Sequence, residues 1–290
     1  MNYDEYNACI KILQKKPAWF GKDDINAKLE CLETFRLKGA PSSIHGILPF
    51  LRDDNEAISL RTAEVIASLS DKIKSLNQLY DSLKYLPIST SDADFYIARF
   101  ETDLAIKLIG IASLNHNGYV RQKAVEMLGQ IENSAVIRFL IVRLGDWVSN
   151  VSDAATLAIK NFFFDKYRES FINEILSIES FKQISRVDLT SQYKLIIDYL
   201  VEKRVTKEYY SSLSVTDKAR LLYFKKYIER HGVDEGLILI MVSDQNFLIR
   251  AHVLQYVRHL GSAEQSGLIL RLLNDNSSQV RLRRIYYIKA

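Results

Sequence analysis

The side chains that most often carry enzyme or metal chemistry are few in this sequence and lie far apart. Its five histidines are at positions 45, 116, 231, 252 and 259. His252 and His259 share one predicted helix but are seven residues apart, whereas helical zinc sites place two histidines four residues apart. The spacing does not predict a metal site, and we expect neither a metal ion nor another cofactor.

Patterns typical of common active sites are also missing from the sequence. There is no Gly-x-Gly-x-x-Gly, no Walker-type glycine-rich loop and no Gly-x-Ser-x-Gly turn. Cys9 and Cys31 lie in helical apolar patterns without a Cys-x-x-Cys partner, which predicts buried thiols. Paired carboxylates such as Asp53 and Asp54 fall in predicted turns. The residues therefore favour a protein that is not an enzyme.

Composition and charge indicate a helical chain with one basic end. Of 290 residues, 48% are hydrophobic and only 4 are proline, which favours helix. From Asn246 onward there are seven Lys/Arg and two acids, a surplus of five, against a net charge of +4 for the whole chain. Everything before Asn246 is therefore close to neutral. We expect any electrostatic function to lie near the C-terminus.

The helices that must position these residues follow a repeat in the sequence. A turn containing Asp leads, five residues later, to a β-branched anchor, and the anchors are Ile58, Val120, Val151, Ile249 and Val280. The last three follow the clearest copies of the pattern, and the first two follow copies with one substitution each. Their separations of 62, 31, 98 and 31 are near multiples of 31 residues. Positions four, eight and eleven after each anchor are mostly apolar, which is the stripe of an amphipathic helix.

The turn Asp followed by Val-Arg-x-x-Ala, as in Val120 to Ala124, resembles the HEAT repeat. The resemblance implies an all-α fold, a right-handed superhelix of about seven to eight helix pairs forming a single domain over residues 1–290. It also implies that the recurring Asp bridges to the Arg of a neighbouring repeat. Residues 163–236 have no readable signature, and we expect two degenerate repeats there.

Residues 71–117 depart from the simple period. The pattern predicts a helix from Lys72 to Leu86, a polar stretch, and then one long helix from Ala93 to Leu114. Either this is a degenerate repeat with a short loop, which we favour, or it is an irregular or inserted segment with a function of its own. Within the next repeat, the turn residue Trp147 is expected to pack against a neighbouring repeat.

Two classes of function remain open. A HEAT-like surface without catalytic residues favours a protein-interaction scaffold or adaptor that binds a protein or peptide, acidic and partly apolar, on a concave face. The alternative is a HEAT-like nucleic-acid-binding protein or an enzyme resembling the alkylpurine DNA glycosylases. The acidic N-terminus predicts no signal peptide, and the apolar runs are too short to span a membrane, so a cytoplasmic location without a membrane partner is expected. The oligomeric state stays open.

The predicted binding surface lies at the basic end. Positions two, three, six and ten after each anchor fall opposite the apolar stripe, because each residue turns the helix by about 100°. In the last two repeats these positions bring basic and aromatic side chains together. We expect a Tyr to make the main apolar contact with the partner and an Arg to fix the register of the bound segment. The predicted partner-binding residues are His252, Gln255, Arg258, His259, Arg283 and Tyr286.

Overall fold

The structure is a computed structural model that describes residues 1–16, 23–73, 76–183, 188–233 and 235–282. Within these ranges the side chains of residues 76, 77, 183, 258, 259, 263 and 264 are not described. All regular secondary structure in the described ranges is helical, which confirms the all-α class. The chain forms two compact units, residues 1–162 and 163–290.

The helices of both units are short and follow one another closely. In the first unit they are α1 (Tyr3–Gln14), α2 (Ile25–Lys38), α3 (Ile44–Ile47), α4 (Glu56–Asp71), α5 (Leu76–Leu83), α6 (Thr90–Arg99), α7 (Thr102–Ala112), α8 (Gly118–Leu128), α9 (Ile137–Leu144) and α10 (Ser149–Lys160). In the second unit they are α11 (Arg168–Asn173), α12 (Ile175–Glu179), α13 (Thr190–Val201), α14 (Lys207–Ser212), α15 (Asp217–His231), α16 (Glu235–Val242), α17 (Phe247–His252) and α18 (Ser262–Leu273).

The anchors take equivalent places in their helices. Four of them are the third residue of a helix, in α4, α8, α10 and α17, and all five are at most 2% exposed. Three residues before the first residue of the helix, an Asp or Asn side chain accepts the backbone N–H of the residue two positions further on, as Asp146 does from Val148 at 3.0 Å. The same bond forms at Asp53, Asn115, Asp244 and Asp275. The predicted repeat is thus a repeated local geometry that buries one face of the second helix.

The core of the first unit is built from neighbouring helices. α8 packs against α7 and α10, α10 packs against α9, and α4 packs against α2 and α7. Cys9 and Cys31 are both buried free thiols, as predicted. Burial and the adjacent Cys9 raise the pKa of Cys31 to about 12, so this thiol stays protonated at neutral pH.

The segment 71–117 differs from the prediction of one long second helix. The chain breaks between α6 and α7, where Phe100 takes an extended conformation with φ −115° and ψ 154°. Phe100 is buried, and its ring meets Phe95 edge-on at 5.9 Å, so burial of this ring at the turn outweighs the helical tendency of the sequence. The resulting helix α6 packs against both α7 and α8.

Arg121 joins two successive inter-helix turns of the first unit. Its Nε and Nη2 donate to the two carboxylate oxygens of Asp146 at 2.7 and 2.8 Å. Its Nη1 donates to the carbonyl oxygens of Asn115 and His116, both at 2.9 Å. Both partners of the ion pair have fully buried side chains. One guanidinium therefore fixes the turn before its own helix to the turn of the following helix pair.

The same bridge recurs in the second unit. Arg250 donates to both carboxylate oxygens of Asp275, at 2.7 and 2.8 Å, and to the carbonyl oxygens of Asp244 and Gln245. Arg220 approaches Asp244 at 3.2 Å in a less well-aligned pair. The separations of 25, 25 and 24 residues between each Arg and its Asp show one repeated arrangement. The expected Asp–Arg bridges are thus present at Asp146, Asp244 and Asp275, whereas Asp53 accepts, among the described residues, only the backbone N–H of Asn55.

Asp146→Ala tests the buried bridge. Asp146 also accepts from Arg143, and burial lowers the pKa of that guanidinium, so the substitution leaves two buried cations without their shared carboxylate. We expect a loss of about 3–5 kcal/mol in the free energy of unfolding. Urea unfolding followed by circular dichroism measures it.

The matched control is Asp94→Ala, which removes an exposed ion pair with Lys123 in the same unit. This change is expected to cost less than about 1 kcal/mol. Equal effects of the two substitutions would contradict a structural role for the buried bridge.

Candidate functional site

The six residues predicted to bind a partner do not form one described surface. His252 is 8% exposed, and its Nε2 lies 3.1 Å from the hydroxyl of Tyr256, so its ring is part of the packed interior. Gln255 is exposed. The side chains of Arg258 and His259, and all of Arg283 and Tyr286, lie outside the described residues. The predicted α-helix after Ile249 becomes a 3-10 helix from Val253 to His259.

A groove in the second unit carries the chemistry that was predicted for the basic end. It has a volume of about 750 Å³ and opens between α14, α16, α18 and the segment that precedes α14. We call it the basic groove, and its described lining residues are Arg204, Val205, Thr206, Lys207, Tyr210, Ser211, Gly236, Leu239, Ile240, Ser243 and Arg271. None of the six predicted residues is among them.

The lining of the basic groove is positive and partly apolar. Arg204, Lys207 and Arg271 are all exposed, and no aspartate or glutamate is among the described lining residues. Ile240 is buried at its floor, whereas Leu239 is 50% exposed although it lies on an otherwise largely buried helix. An exposed leucine beside several cations favours a ligand that is itself acidic and partly apolar.

One wall of the basic groove is held by the end of α13. Arg168 is buried and donates through Nη1 to the carbonyl oxygens of Tyr199 and Leu200, at 2.6 and 2.8 Å. A ring nitrogen of His231 bonds the carbonyl oxygen of Val201 at 2.5 Å. Three carbonyl groups at the C-terminal end of α13 are thus satisfied by side chains from other helices. This fixes the point from which Arg204 and Lys207 enter the groove.

The opposite wall is fixed by contacts between α16 and α18. Arg271 donates through Nη2 to the hydroxyl of Ser243 at 2.9 Å, and that hydroxyl donates to the carbonyl oxygen of Leu239 at 2.8 Å. Arg271 therefore bonds to the residue that follows α16 and also lines the groove. The Arg250–Asp275 pair joins the turn that follows α16 to the turn that follows α18.

The lining of the basic groove also includes Tyr210, whose polar group is its hydroxyl. Its hydroxyl is buried and has no hydrogen-bond partner among the described residues. The ring packs against Phe224 at 5.2 Å. Tyr210 and its neighbour Tyr209 are both half-buried.

The described residues give neither a metal site nor a membrane-spanning helix. They contain no cluster of three or more His, Cys, Asp or Glu side chains close enough to hold a metal ion. Among the same residues, no helix combines the length and apolar character needed to cross a membrane. Trp147, which was predicted to pack against a neighbouring repeat, lies over the guanidinium of Arg121 at 4.5 Å but remains 58% exposed.

Sequence reasoning missed the basic groove because its lining comes from α14, α16, α18 and the segments next to them, whereas the prediction concerned the helices that carry the anchors. It also missed Arg220, which follows the buried residue Ala219 and not a β-branched anchor. The available signal was spacing, because Arg220 lies 30 residues before Arg250 and Arg281 lies 31 residues after it.

Comparison with known proteins identifies no relative from which a function is transferable. The sequence matches no protein-family model, and no curated protein is significantly similar to it.

The pKa values of the two turn aspartates of the second unit are expected to shift in opposite directions from the ordinary aspartate value. Hydrogen bonds from Arg250 lower the pKa of Asp275, whereas burial raises the pKa of Asp244. A carbon-13 NMR titration of the carboxyl groups should place Asp275 below the ordinary aspartate pKa of about 3.9 and Asp244 above it.

The consequences for stability have opposite signs. Because the pKa of Asp275 is lower in the folded chain, its stabilising contribution is present above about pH 3.9 and is lost as the pH falls through the folded-state pKa. Asp244 binds its proton more readily in the folded chain, so its ionisation above the same pH reduces stability. Equal titration midpoints for Asp275 and Asp244 would show that the hydrogen bonds from Arg250 do not lower the pKa of Asp275 relative to that of Asp244.

Proposed function

We propose that this chain is a non-enzymatic, cytoplasmic protein-interaction module that binds an acidic, partly apolar segment of a partner protein in the basic groove. The observation that carries the proposal is the lining itself, with three exposed cations, an exposed leucine and no carboxylate among its described residues. Such a lining complements acidic side chains and one or two apolar ones.

The lining of the groove favours an extended segment. The groove is lined by the segment before α14, by α14 itself, by α16 and by α18. A partner segment that contacts all four has to run along the groove, and an extended chain, which advances about 3.3 Å per residue, does this with few residues.

The proposed architecture agrees with this function. The Val-Arg signature, the third-residue anchors and the Asp–Arg bridges support membership of the HEAT-like solenoids, whose stacked helix pairs present long binding surfaces. We propose the right-handed superhelix of that family for this chain. Its concave face, on the second helices, is then a different surface from the basic groove.

Nucleic-acid binding is the second candidate function, and the basic lining is compatible with it. A nucleic-acid site needs cations along a backbone track and aromatic side chains on which bases stack. The basic groove offers one aromatic ring, Tyr210, and that ring is half-buried. An enzyme resembling the alkylpurine DNA glycosylases additionally needs an exposed carboxylate in the site, and none lines this groove among the described residues. The lining therefore favours a peptide.

Fluorescence anisotropy with two peptides tests the proposed function. One ten-residue probe carries glutamates on both sides of a central pair of leucines, and the second replaces the leucines by serines. We expect the first to bind in a saturable manner and to bind at least tenfold more tightly than the second. Lys207→Glu combined with Arg271→Glu should weaken binding of the first peptide at least tenfold, which corresponds to about 1.4 kcal/mol.

Two controls separate the groove from general charge effects. Lys218→Glu combined with Arg230→Glu makes the same charge change at exposed positions of the same unit outside the groove and should leave binding within about twofold. Leu239→Gln should reduce the preference for the leucine-containing peptide without affecting the serine-containing one. Preferential binding of a single-stranded oligonucleotide by the unmodified chain would support the second candidate function and contradict the first.

A further inference from the structure

Arg138, the second residue of α9, is a cation that the chain itself leaves unpaired. Its Nε is buried and has no hydrogen-bond partner among the described residues, and no carboxylate of those residues forms an ion pair with its guanidinium. Arg143 and Arg220 also have an Nε without a hydrogen bond, but each forms an ion pair with a turn aspartate. A buried donor without a partner costs stability, and such groups are concentrated at functional sites.

The side chain of Arg138 lines a pocket in the first unit, which we call the Arg138 pocket. It has a volume of about 360 Å³ and lies between the end of α4, α5, α7 and the start of α9. Its described lining includes Asp71, Ile73, Ile106, Lys107 and Phe139. Small-molecule sites have volumes of about 300–1,000 Å³, so this pocket has the size of a site for a compact ligand.

A close contact between α7 and α9 builds one wall of the Arg138 pocket. A Cβ placed on Gly110 would lie 2.4 Å from atoms of the Phe139 ring, so the ring packs directly on the backbone of α7. Ile106 and Lys107 precede Gly110 by four and three residues and therefore lie on the same face of α7. The start of α9, which carries Arg138, is thereby held against the face that carries Lys107.

The charged groups of the Arg138 pocket leave one positive charge unbalanced. Lys107 donates through Nζ to a carboxylate oxygen of Asp71 at 2.5 Å. Lys107 and Arg138 are the cations of the described lining, and Asp71 is its one acid. A monoanion therefore balances the charge of Arg138. A dianion would add a negative charge beside Asp71, which is unfavourable.

The rest of the described lining of the Arg138 pocket is largely apolar. Leu79, Ile106, Ile111 and Phe139 line it and are buried. The hydroxyl of Ser70, which also lines it, already donates to the carbonyl oxygen of Ala67 at 2.8 Å. A ligand that enters the pocket thus meets charged groups with its anionic end and hydrocarbon with the remainder.

We propose that the Arg138 pocket binds a small monocarboxylic acid with a compact apolar body, in its ionised form. The carboxylate accepts hydrogen bonds from the Arg138 guanidinium, whose planar donors match the two carboxylate oxygens. The apolar body packs against Ile106 and Phe139. The proposal does not depend on the basic groove, because the two sites share no residue and lie in different units.

An NMR titration of the full chain with benzoate tests the proposal. The δ1-methyl resonances of Ile73 and Ile106, assigned by their loss in Ile73→Val and Ile106→Val, report on the pocket itself. Benzamide has the same shape without the charge, acetate has the charge without the apolar body, and phenyl phosphate is a dianion at pH 8. We expect benzoate to shift both methyl resonances in a saturable manner and to bind at least tenfold more tightly than each of the other three compounds.

Matched substitutions test the role of the unpaired cation. Arg138→Gln should weaken benzoate binding at least tenfold, whereas Arg61→Gln makes the same charge change at a half-exposed position on α4 outside the pocket and should leave binding within twofold. Arg138→Lys keeps the charge without the paired donors and should give an intermediate affinity. Because Arg138 has no ion-pair partner to lose, the melting temperature of Arg138→Gln should stay near that of the unmodified chain.

Three results would overturn the proposal. They are an absence of saturable shift at millimolar benzoate, equal binding of benzamide or tighter binding of phenyl phosphate, and an unchanged benzoate affinity in Arg138→Gln. The comparison of the four compounds uses the unmodified chain, so it decides the question even if a substitution disturbs folding.

Discussion

The bridge from one arginine to the aspartate of the following helix pair is the constraint on which the other features of each unit depend. Taken from water, a guanidinium and a carboxylate are costly to bury, and the pair is tolerated here because nearly every donor and acceptor is used. Arg121 satisfies two carbonyl groups and one carboxylate, and Asp146 accepts from two arginines and a backbone N–H. This geometry forces successive turns into a fixed register.

Both proposed sites depend on these turns for part of their order. In the first unit, the Arg121 bridge holds the turn that follows α9, the helix from which Arg138 enters its pocket. In the second unit, the Arg250 bridge joins the ends of the helices that carry Leu239 and Arg271. Binding groups on short helices and loops are thereby held by buried interactions, which reduces the entropy lost when a partner docks.

The repeat could be predicted from the sequence because its determinants are local. The anchors, the apolar stripe and the turn aspartates each require a particular residue at a fixed spacing. The break at Phe100 could not be predicted, because it depends on burial of a ring against α6. The basic groove depends on side chains from α14, α16 and α18 that converge only after folding, and α14 lies where the repeat signature is absent. The resemblance to HEAT repeats therefore indicated the helix pairs, but it led to a predicted binding surface other than the basic groove.

Residue-resolved hydrogen exchange tests the organising role of the turns most directly. The backbone N–H groups of Val148, Asn246 and Ser277 each donate to a turn aspartate that an arginine also engages. If the bridges order the turns, these amides exchange as slowly as those in the helix that follows each turn, although they lie in connecting segments. Exchange at the rate of unprotected loop amides, with the helices on either side still protected, would contradict the account.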